Sequence, residues 1–512
     1  MPGTFFGVMR LSKTALVLFA FGVLGLCLTT AHSYSYVMDD ALITLRYSEN
    51  LATTGHAIWN RADVHHPAMG YTSTAWMVIN SLTALFTHDK DTLVQFSKVY
   101  AFIAALGLLA LATRWMIRLG YAIGPGLALI FLFFWNPVVG LHINSGMETI
   151  LFMSLVFWFA YRVMNRANYF AILAVGFMCY LTRPEGGLLL ATYWLWDVVG
   201  TRNVRRSAAG AAMLAGLMTL YHAAVWAYYG DPLPLPFYIK QAMGPLFKPA
   251  AVKDTAVFLV SCALPYLAAV VMGQRFDWSR LELVVVVQAQ LVVFFLTVEP
   301  YMNVVYRYQM PVLALLFLTL IAVRPRRPAS KLLAALFVLV VATQWVFNLG
   351  VTDMYARKTG RAAENLKVIG RALQERNDYR TWMAYGDAGF VCYYSDFNTV
   401  DLNGLNTREI AKGSLSVEAA LRNPDIRLLL ANAEFKLDDP VVPRWPHDTA
   451  GLAYVGSVPV TRDSRRVSVV QFYARDDFVR AEELARIVTA PDYDPSWFEG
   501  LYYWGRNLIK NR

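Results

Sequence analysis

Two adjacent carboxylates, Asp39 and Asp40, follow the first long apolar run and open a helical pattern that Gly55 would end. Arg46 comes seven residues after Asp39 and therefore lies on the same face of such a helix. A carboxylate that a nearby cation keeps ionised can act as a general base toward a hydroxyl group. The same pattern also fits a plain helix N-terminus, where one Asp caps the helix and the other interacts favourably with its dipole.

Further polar and aromatic side chains collect in the short segments between apolar runs. Ionisable residues at the ends of such runs are costly to desolvate and tend to be functional, although each alone also fits a membrane anchor. Arg183, Lys240 and Arg307 are cations suited to a phosphate group. The predicted substrate-binding residues are Arg46, His66, Tyr71, Glu148, Arg183, Glu185, Tyr238, Lys240 and Arg307.

Metal and redox chemistry have weaker support in the sequence. His65 and His66 are adjacent and share a loop with the two aspartates, but their spacing has no metal-specific signature. The four cysteines form no CxxC motif and no pair that indicates a disulfide. We therefore expect no cofactor, with a divalent metal as the alternative.

The elements that must position these residues are membrane helices. Of the 512 residues, 57% are hydrophobic and only 16% are charged, whereas soluble domains are nearer a quarter charged. Several apolar runs approach the roughly 20 residues that span a bilayer. The composition excludes a soluble enzyme, a fibrous protein and a disulfide scaffold. The predicted fold class is an all-α polytopic membrane protein with a C-terminal α/β domain outside the cytoplasm.

Six clusters of Lys and Arg, each between two apolar runs or before the first, orient the chain. Placing all of them in the cytoplasm puts the N-terminus inside, the C-terminus outside, and a large external loop at 33–92. Within that loop, Ser73–Phe86 is short for a span and fits an interfacial helix. The predicted location is a bacterial inner membrane. The eleven predicted spans are about 14–32, 93–113, 121–138, 149–162, 167–181, 187–200, 208–229, 255–273, 282–298, 310–323 and 332–350.

The chain changes character after residue 350. Residues 1–352 hold the whole net charge of +10, whereas residues 353–512 balance their acids and bases. A basic excess in a membrane region indicates cytoplasmic loops, so we expect no nucleic-acid partner. The predicted domains are 1–352 in the membrane and 353–512 outside. In the second, a helix at 357–376 and strands at 381–385, 427–431, 452–460 and 467–473 form the α/β pattern.

Acids, cations and an interfacial helix on one side of the membrane favour a lipid-phosphate donor that is attacked by a hydroxyl group outside the cytoplasm. No glycine-rich nucleotide loop faces the cytoplasm, and nucleotide sugars are absent from the outside. A lipid-linked sugar is therefore the expected donor. The expected acceptor is an envelope glycan or glycoprotein, and the lipid bilayer is the third partner.

Seven short motifs occur in the order in which one known family carries them. The sequence resembles the GT-C superfamily of polyprenyl-phosphate-dependent glycosyltransferases. Within it, the sequence is most similar to the branch of actinobacterial terminal arabinofuranosyltransferases and their proteobacterial relatives. The motifs lie at Asp39–Leu51, Gly70–Trp76, Ser145–Thr149, Thr182–Gly186, Tyr229–Lys240, Arg307–Pro311 and Gly386–Gly389.

The resemblance implies that an early Asp is the catalytic base and that the donor is a polyprenyl-monophosphate sugar, with arabinofuranose or a related pentose as the sugar. Our prediction is that Asp39 and Asp40 are the catalytic residues, with Asp39 as the base. The alternative is a lipid or polysaccharide transporter or flippase without transferase activity. The sequence leaves open a cell-wall polysaccharide, a lipopolysaccharide or a pilin as acceptor, and retention or inversion at the transferred carbon.

Overall fold

The computed structural model describes residues 12–240, 247–272, 278–298, 302–323, 331–436, 444, 448–449, 451–462, 466–475 and 478. Helices dominate the first three quarters of the chain. They are α1 (Lys13–His32), α2 (Asp39–Thr54), α3 (Thr74–Ala84), α4 (Lys90–Arg118), α5 (Ile123–Phe134), α6 (Pro137–Asn144), α7 (Thr149–Met164), α8 (Tyr169–Thr182), α9 (Gly186–Thr201), α10 (Val204–Tyr229), α11 (Leu235–Lys240), α12 (Pro249–Phe258), α13 (Leu264–Met272), α14 (Trp278–Thr297), α15 (Met310–Val323) and α16 (Lys331–Gln374).

Nine of the predicted spans coincide with one helix each, whereas 121–138 covers α5 and reaches α6, and 255–273 runs from α12 into α13. The number eleven is not confirmed. Within the described residues, six helices or continuous helical segments are long and apolar enough to cross a bilayer, which makes the chain a multi-pass membrane protein. The pair α5 and α6, bent by 47°, would add a seventh. Helices α7 and α8 have 16 and 14 residues, which at 1.5 Å per residue fall short of a hydrocarbon core about 30 Å thick.

The membrane core is built around α15. Its residues from Met310 to Ile321 are all buried, as expected for a helix that is apolar on every side. Phe317 stacks on Phe133 of α5 with ring centroids 4.4 Å apart. Because α15 begins directly after the segment that carries Arg307, this packing fixes the position of that arginine.

The predicted first external loop, residues 33–92, contains the two helices that the sequence predicts. Helix α2 ends at Gly55, which has φ +75° and whose N–H bonds the Leu51 carbonyl, as predicted. Helix α3 has 11 residues and leaves Val78 and Leu82 exposed, with Leu85 and Phe86 exposed just beyond its end. An apolar stripe on a short helix is consistent with a position in the membrane interface.

The C-terminal part is a mixed sheet with short helices. Four of the described strands match those predicted, and two short strands are additional. The strands are β1 (Trp382–Tyr385), β2 (Asn398–Asp401), β3 (Ile426–Lys436), β4 (Asp448–Thr449), β5 (Leu452–Arg462) and β6 (Arg466–Ala474), in the order β2-β1-β3-β6-β5-β4. Strand β1 is parallel to β2 and β3, and the other pairs are antiparallel. The helices are α17 (Phe390–Ser395), α18 (Arg408–Ala411) and α19 (Val417–Leu421).

Helix α16 joins the two parts without a break. It continues past residue 353, where the sequence predicts a domain boundary, and the predicted amphipathic helix at 357–376 is its last section. Ser35 donates a hydrogen bond of 3.1 Å to the carbonyl of Ala356, so α16 lies against the chain that leads to the two aspartates. The sheet and the first external loop therefore share one interface.

Candidate active site

Asp39 and Asp40 form the first turn of α2. The preceding residue, Met38, makes no side-chain cap, and its N–H donates to the carbonyl of Ser145 over 3.0 Å. Gly146 has φ +75°, and a Cβ there would lie 3.0 Å from the Cβ of Ala41. The glycine of the Ser145–Thr149 motif thus lets that loop pass closely beside the first turn of α2. Neither aspartate caps the helix, but both lie in its first turn, where a negative charge interacts favourably with the helix dipole.

Asp39 faces the loop between β1 and α17. Its Oδ1 accepts a hydrogen bond of 2.8 Å from the backbone N–H of Phe390. A Cβ added at Gly389 would lie 1.7 Å from the same oxygen, so only glycine allows this approach. The Gly386–Gly389 motif therefore places its backbone directly on the Asp39 carboxyl group.

The same loop brings a second carboxyl group, that of Asp387, into hydrogen-bond contact with Asp39. Burial and the Asp387 charge raise the pKa of Asp39 well above its usual range, and the bond from Phe390 only partly opposes this. Asn432 of β3 donates to Asp387 over 3.1 Å and accepts from Tyr385 over 2.7 Å. Asp39 thus holds a proton more readily than an ordinary aspartate does, a property that suits a general base.

The expected pairing of Arg46 with Asp39 is not observed. The Arg46 guanidinium is 3% exposed and donates to the carbonyls of Trp59, Cys392 and Phe397 over 2.8, 2.8 and 2.6 Å. It also stacks 4.3 Å above the Trp59 ring. Its donors are used to join α2 to the C-terminal part, so the cation does not lower the pKa of Asp39.

Asp40 points into a buried network of alternating charges. Arg307 lies between Asp40 and Glu148, with N–O distances of 3.4 Å to both. Arg183 lies 3.8 Å from Glu148 and 2.7 Å from Glu185. The structure therefore brings five of the predicted site residues together. Among the described residues, Nε of Arg307 has no hydrogen-bond partner, although Arg307 is 7% exposed.

The backbone before Arg307 adopts an unusual conformation. Val305 and Tyr306 have φ of +47° and +63°, a region that β-branched and aromatic residues rarely adopt. Nε2 of the buried His142 lies 2.9 Å from the carbonyl oxygen of Val305. Because a carbonyl only accepts, the ring carries its proton on Nε2. This contact and the start of α15 hold Arg307 in place.

The other predicted site residues lie outside this network. His66 is exposed, and Tyr71 is buried with its hydroxyl 3.0 Å from that of Tyr229. The Tyr238 ring lies 5.5 Å from the Lys412 ammonium group. The side chain of Lys240 lies outside the described residues. Within the described part of the chain, no group of three or more His, Cys, Asp or Glu side chains could hold a metal ion.

Asp401 and the turn that follows it support the loop around Gly70. Asp401 is fully buried and accepts hydrogen bonds from Asn403 and Asn406, while burial raises its pKa to about 6. Asn406 accepts in turn from Tyr47, whose hydroxyl receives the Gly70 N–H. These contacts are structural.

The residue that sequence reasoning missed is Asp387. The Gly-Asp-Ala-Gly motif contains Asp387 and could have indicated it. However, Asp387 follows Asp39 by more than 340 positions in the chain, so the sequence does not show that the two meet. Only the sheet shows that the motif follows the end of a central strand, where loops commonly carry functional side chains.

Two crystal structures of one protein have a closely related arrangement of helices. ArnT from Cupriavidus metallidurans bound to undecaprenyl phosphate superposes with a TM-score of 0.55 at 12% identity, covering 90% of this chain and 98% of that one. The fold is that of ArnT. Its apo structure gives a TM-score of 0.53 at 13% identity, covering 89% and 97%. This ArnT-like fold agrees with the GT-C resemblance, whereas neither structure tests the arabinofuranosyltransferase branch.

Sequence comparisons add one match. Residues 353–479 match a family model described as a domain of unknown function, DUF8728. No curated protein matches the chain significantly. The match covers the C-terminal part together with the last section of α16.

Proposed function

We propose that this protein is a membrane glycosyltransferase that moves a sugar from a polyprenyl-monophosphate donor to an envelope glycan or glycoprotein outside the cytoplasm. The observation that carries the proposal is the first turn of α2. There, a carboxyl group with a raised pKa, Asp39, adjoins a carboxylate, Asp40, that is paired with a buried arginine. The ArnT structure with undecaprenyl phosphate supports a lipid of this class as the donor carrier.

Asp39 is the base in this proposal. It accepts the proton of the acceptor hydroxyl while the new bond to the sugar carbon forms and the bond from that carbon to the phosphate oxygen breaks. A general base is most effective when its pKa lies near the working pH, because a large fraction of it is then deprotonated and it still binds a proton firmly. The Asp387 charge raises the proton affinity of Asp39, which favours movement of the hydroxyl proton onto Asp39 during transfer.

Arg307 is the first cation for the donor phosphate. A phosphate that leaves with the lipid gains charge as the glycosidic bond breaks, so a fixed cation stabilises the transition state more than the ground state. The unpartnered Nε of Arg307 gives it one free donor for this purpose. Lys240, at the end of α11, is the second proposed cation, and Arg183 holds Glu148 on the far side of Arg307.

The finer identity of the substrates rests on the sequence resemblance. We propose arabinofuranose or a related pentose as the sugar, and a bacterial inner membrane with the C-terminal part outside as the location. A flippase, the alternative function, would move a lipid-linked sugar without breaking its phosphate bond.

The test uses the purified protein in lipid nanodiscs with a polyprenyl-phosphate pentose and the envelope glycan fraction of a deletion strain. We expect the release of polyprenyl phosphate together with a matching mass increase in the glycan. Mass spectrometry of the deletion strain should show the corresponding sugar missing. Movement of the intact lipid-linked sugar between leaflets, without release of polyprenyl phosphate, would contradict the proposal.

A further inference from the structure

A cleft of about 710 Å³ lies between α16 and the C-terminal sheet. Its volume is within the range of about 300–1,000 Å³ that is typical of small-molecule sites. One wall is the face of α16 that follows the predicted span, and the other is formed by β3, β5 and β6. Nothing in the chemistry proposed above uses this space.

One residue of each wall links the cleft to the first turn of α2. On the sheet side, Asn432 lines the cleft and donates to Asp387, which contacts Asp39. On the helix side, Tyr355 lines the cleft and packs against the hydrophobic cluster that contains Tyr36, which comes just before the two aspartates in the chain. A molecule that contacts Asn432 would therefore lie next to the Asp387 carboxyl group, which adjoins the proposed base.

The lining is mixed: its polar part suits the hydroxyl groups of a saccharide, while Met354, Leu366, Val460 and Val469 offer apolar surface. Tyr355, Lys358 and Thr359 come from α16, while Asn432, Glu434 and Ser468 come from the sheet. Hydroxyl and amide side chains both donate and accept hydrogen bonds, as the hydroxyl groups of a sugar do. Lys358 is exposed to the cleft, and Glu434 is already paired with Arg466 over 3.1 Å. A polyprenyl chain would instead require an apolar groove at bilayer depth.

We propose that this cleft binds the saccharide part of the acceptor and presents its hydroxyl group to Asp39. The inference rests on the proposed transferase function and deepens it by assigning the acceptor side. It makes the C-terminal sheet a specificity element, since the residues that line the cleft select the glycan while Asp39, Asp40 and Arg307 carry out the transfer.

The test places a large side chain in the cleft. Ala362 of α16 is half-buried and lines the cleft, so the indole of Ala362→Trp would project into it and occupy part of it, whereas Val368→Trp on the same helix adds an indole to a residue that is 41% exposed and outside the cleft. Lys358→Ala is a milder second variant at an exposed position that should not disturb folding. The probe is the oligosaccharide fraction prepared from the envelope of a deletion strain, and binding to the full chain in nanodiscs is measured by saturation-transfer NMR.

We expect Ala362→Trp to weaken saccharide binding more than about tenfold and Lys358→Ala by about fivefold, the loss of roughly one hydrogen bond. Val368→Trp should bind like the wild type, and all variants should bind undecaprenyl phosphate normally. Unchanged saccharide binding in both cleft variants would overturn the inference, as would a selective loss of undecaprenyl phosphate binding in Ala362→Trp. Donor turnover by the wild type is a separate readout that tests the transferase function without the cleft.

Discussion

At the scale of single residues, two neighbouring aspartates acquire different properties from their surroundings. Adjacent positions on a helix point about 100° apart. As a result, Asp39 meets the Asp387 loop while Asp40 meets Arg307. The first environment raises the pKa of the carboxyl group, and the second provides an ion pair. This difference is the basis for assigning the role of base to Asp39 and the role of ion-pair partner of Arg307 to Asp40.

The pH dependence of turnover tests the contact between Asp39 and Asp387. A base must be deprotonated, so wild-type turnover should fall as the pH drops through the raised pKa of Asp39. Asp387→Asn removes a neighbouring negative charge, which lowers the pKa of Asp39 and should move the acidic limb of the pH–rate profile to lower pH. Asp425→Asn, at an exposed aspartate of the same region, is the matched control. An acidic limb that stays in place in Asp387→Asn would disprove this coupling.

Arg46 should contribute to stability rather than to chemistry. Lysine cannot reproduce three directed hydrogen bonds and a stacking contact, so Arg46→Lys should leave buried carbonyls without donors. We expect a loss of about 2–4 kcal/mol in the free energy of unfolding, measured as a lower melting temperature of the purified protein. Arg422→Lys, at an exposed arginine, should melt like the wild type. A wild-type melting temperature combined with lost donor binding would instead place Arg46 in the substrate site.

Sequence periodicity found the aspartates but assigned the wrong partner to Asp39. It places Arg46 on the same helical face, yet it cannot show that this face is covered by residues more than 340 positions away. Glu148, Arg183, Glu185 and Arg307 were recognisable because charges at the ends of apolar runs are rare. Their mutual pairing depends on how the membrane helices pack, which no local pattern contains.

At the scale of elements, the positions of helices and strands were predictable and their lengths were less so. Apolar runs and Lys/Arg clusters located the helices that coincide with the predicted spans, because burial in lipid demands continuous apolar segments. The continuity of α16 was not predicted, since the sequence pattern changes from an apolar span to an amphipathic helix along its length. The short strands β2 and β4 were missed because two to four residues give no reliable alternation.

The segment that carries Arg307 depends on a neighbouring helix for its shape. His142 of α6 supplies the hydrogen bond to Val305, so His142→Leu should leave that carbonyl unsatisfied and allow Arg307 to move. We expect turnover to fall by about ten- to a hundredfold, the effect of a displacement near 1 Å. His142→Gln keeps an N–H donor and should recover most of the rate. Equal rates in His142→Leu and the wild type would show that the packing of α15 alone positions Arg307.

At the scale of the whole molecule, ion pairs and hydrogen bonds join the C-terminal part to the membrane helices. Asp231, after α10, is buried and pairs with Arg408 over 2.7 Å and with Lys412. Arg46 donates a hydrogen bond to a backbone carbonyl of α17, and Asn60 donates one to a backbone carbonyl of β2. The loop with Asp387 is therefore held in register with α2 from several directions.

The orientation of this unit across the membrane is open to direct measurement. Cys27 is the one exposed cysteine among the four described, so single cysteines are introduced after its replacement. In intact cells, a membrane-impermeant maleimide should label Ser414→Cys and not Asn203→Cys, both at exposed positions. The reverse pattern would place the aspartates in the cytoplasm and contradict a donor that is used outside.

The most direct test of the central claim is sugar transfer by purified Asp39→Asn and Asp40→Asn with a polyprenyl-phosphate pentose. Loss of a positioned general base typically costs a factor of roughly 10²–10⁴. Asp39→Asn should therefore be nearly inactive while it still folds and binds undecaprenyl phosphate, and Asp40→Asn should retain more activity. Near-wild-type turnover in both variants would contradict the enzymatic role of this turn, and an inactive Asp40→Asn beside an active Asp39→Asn would reverse the two assignments.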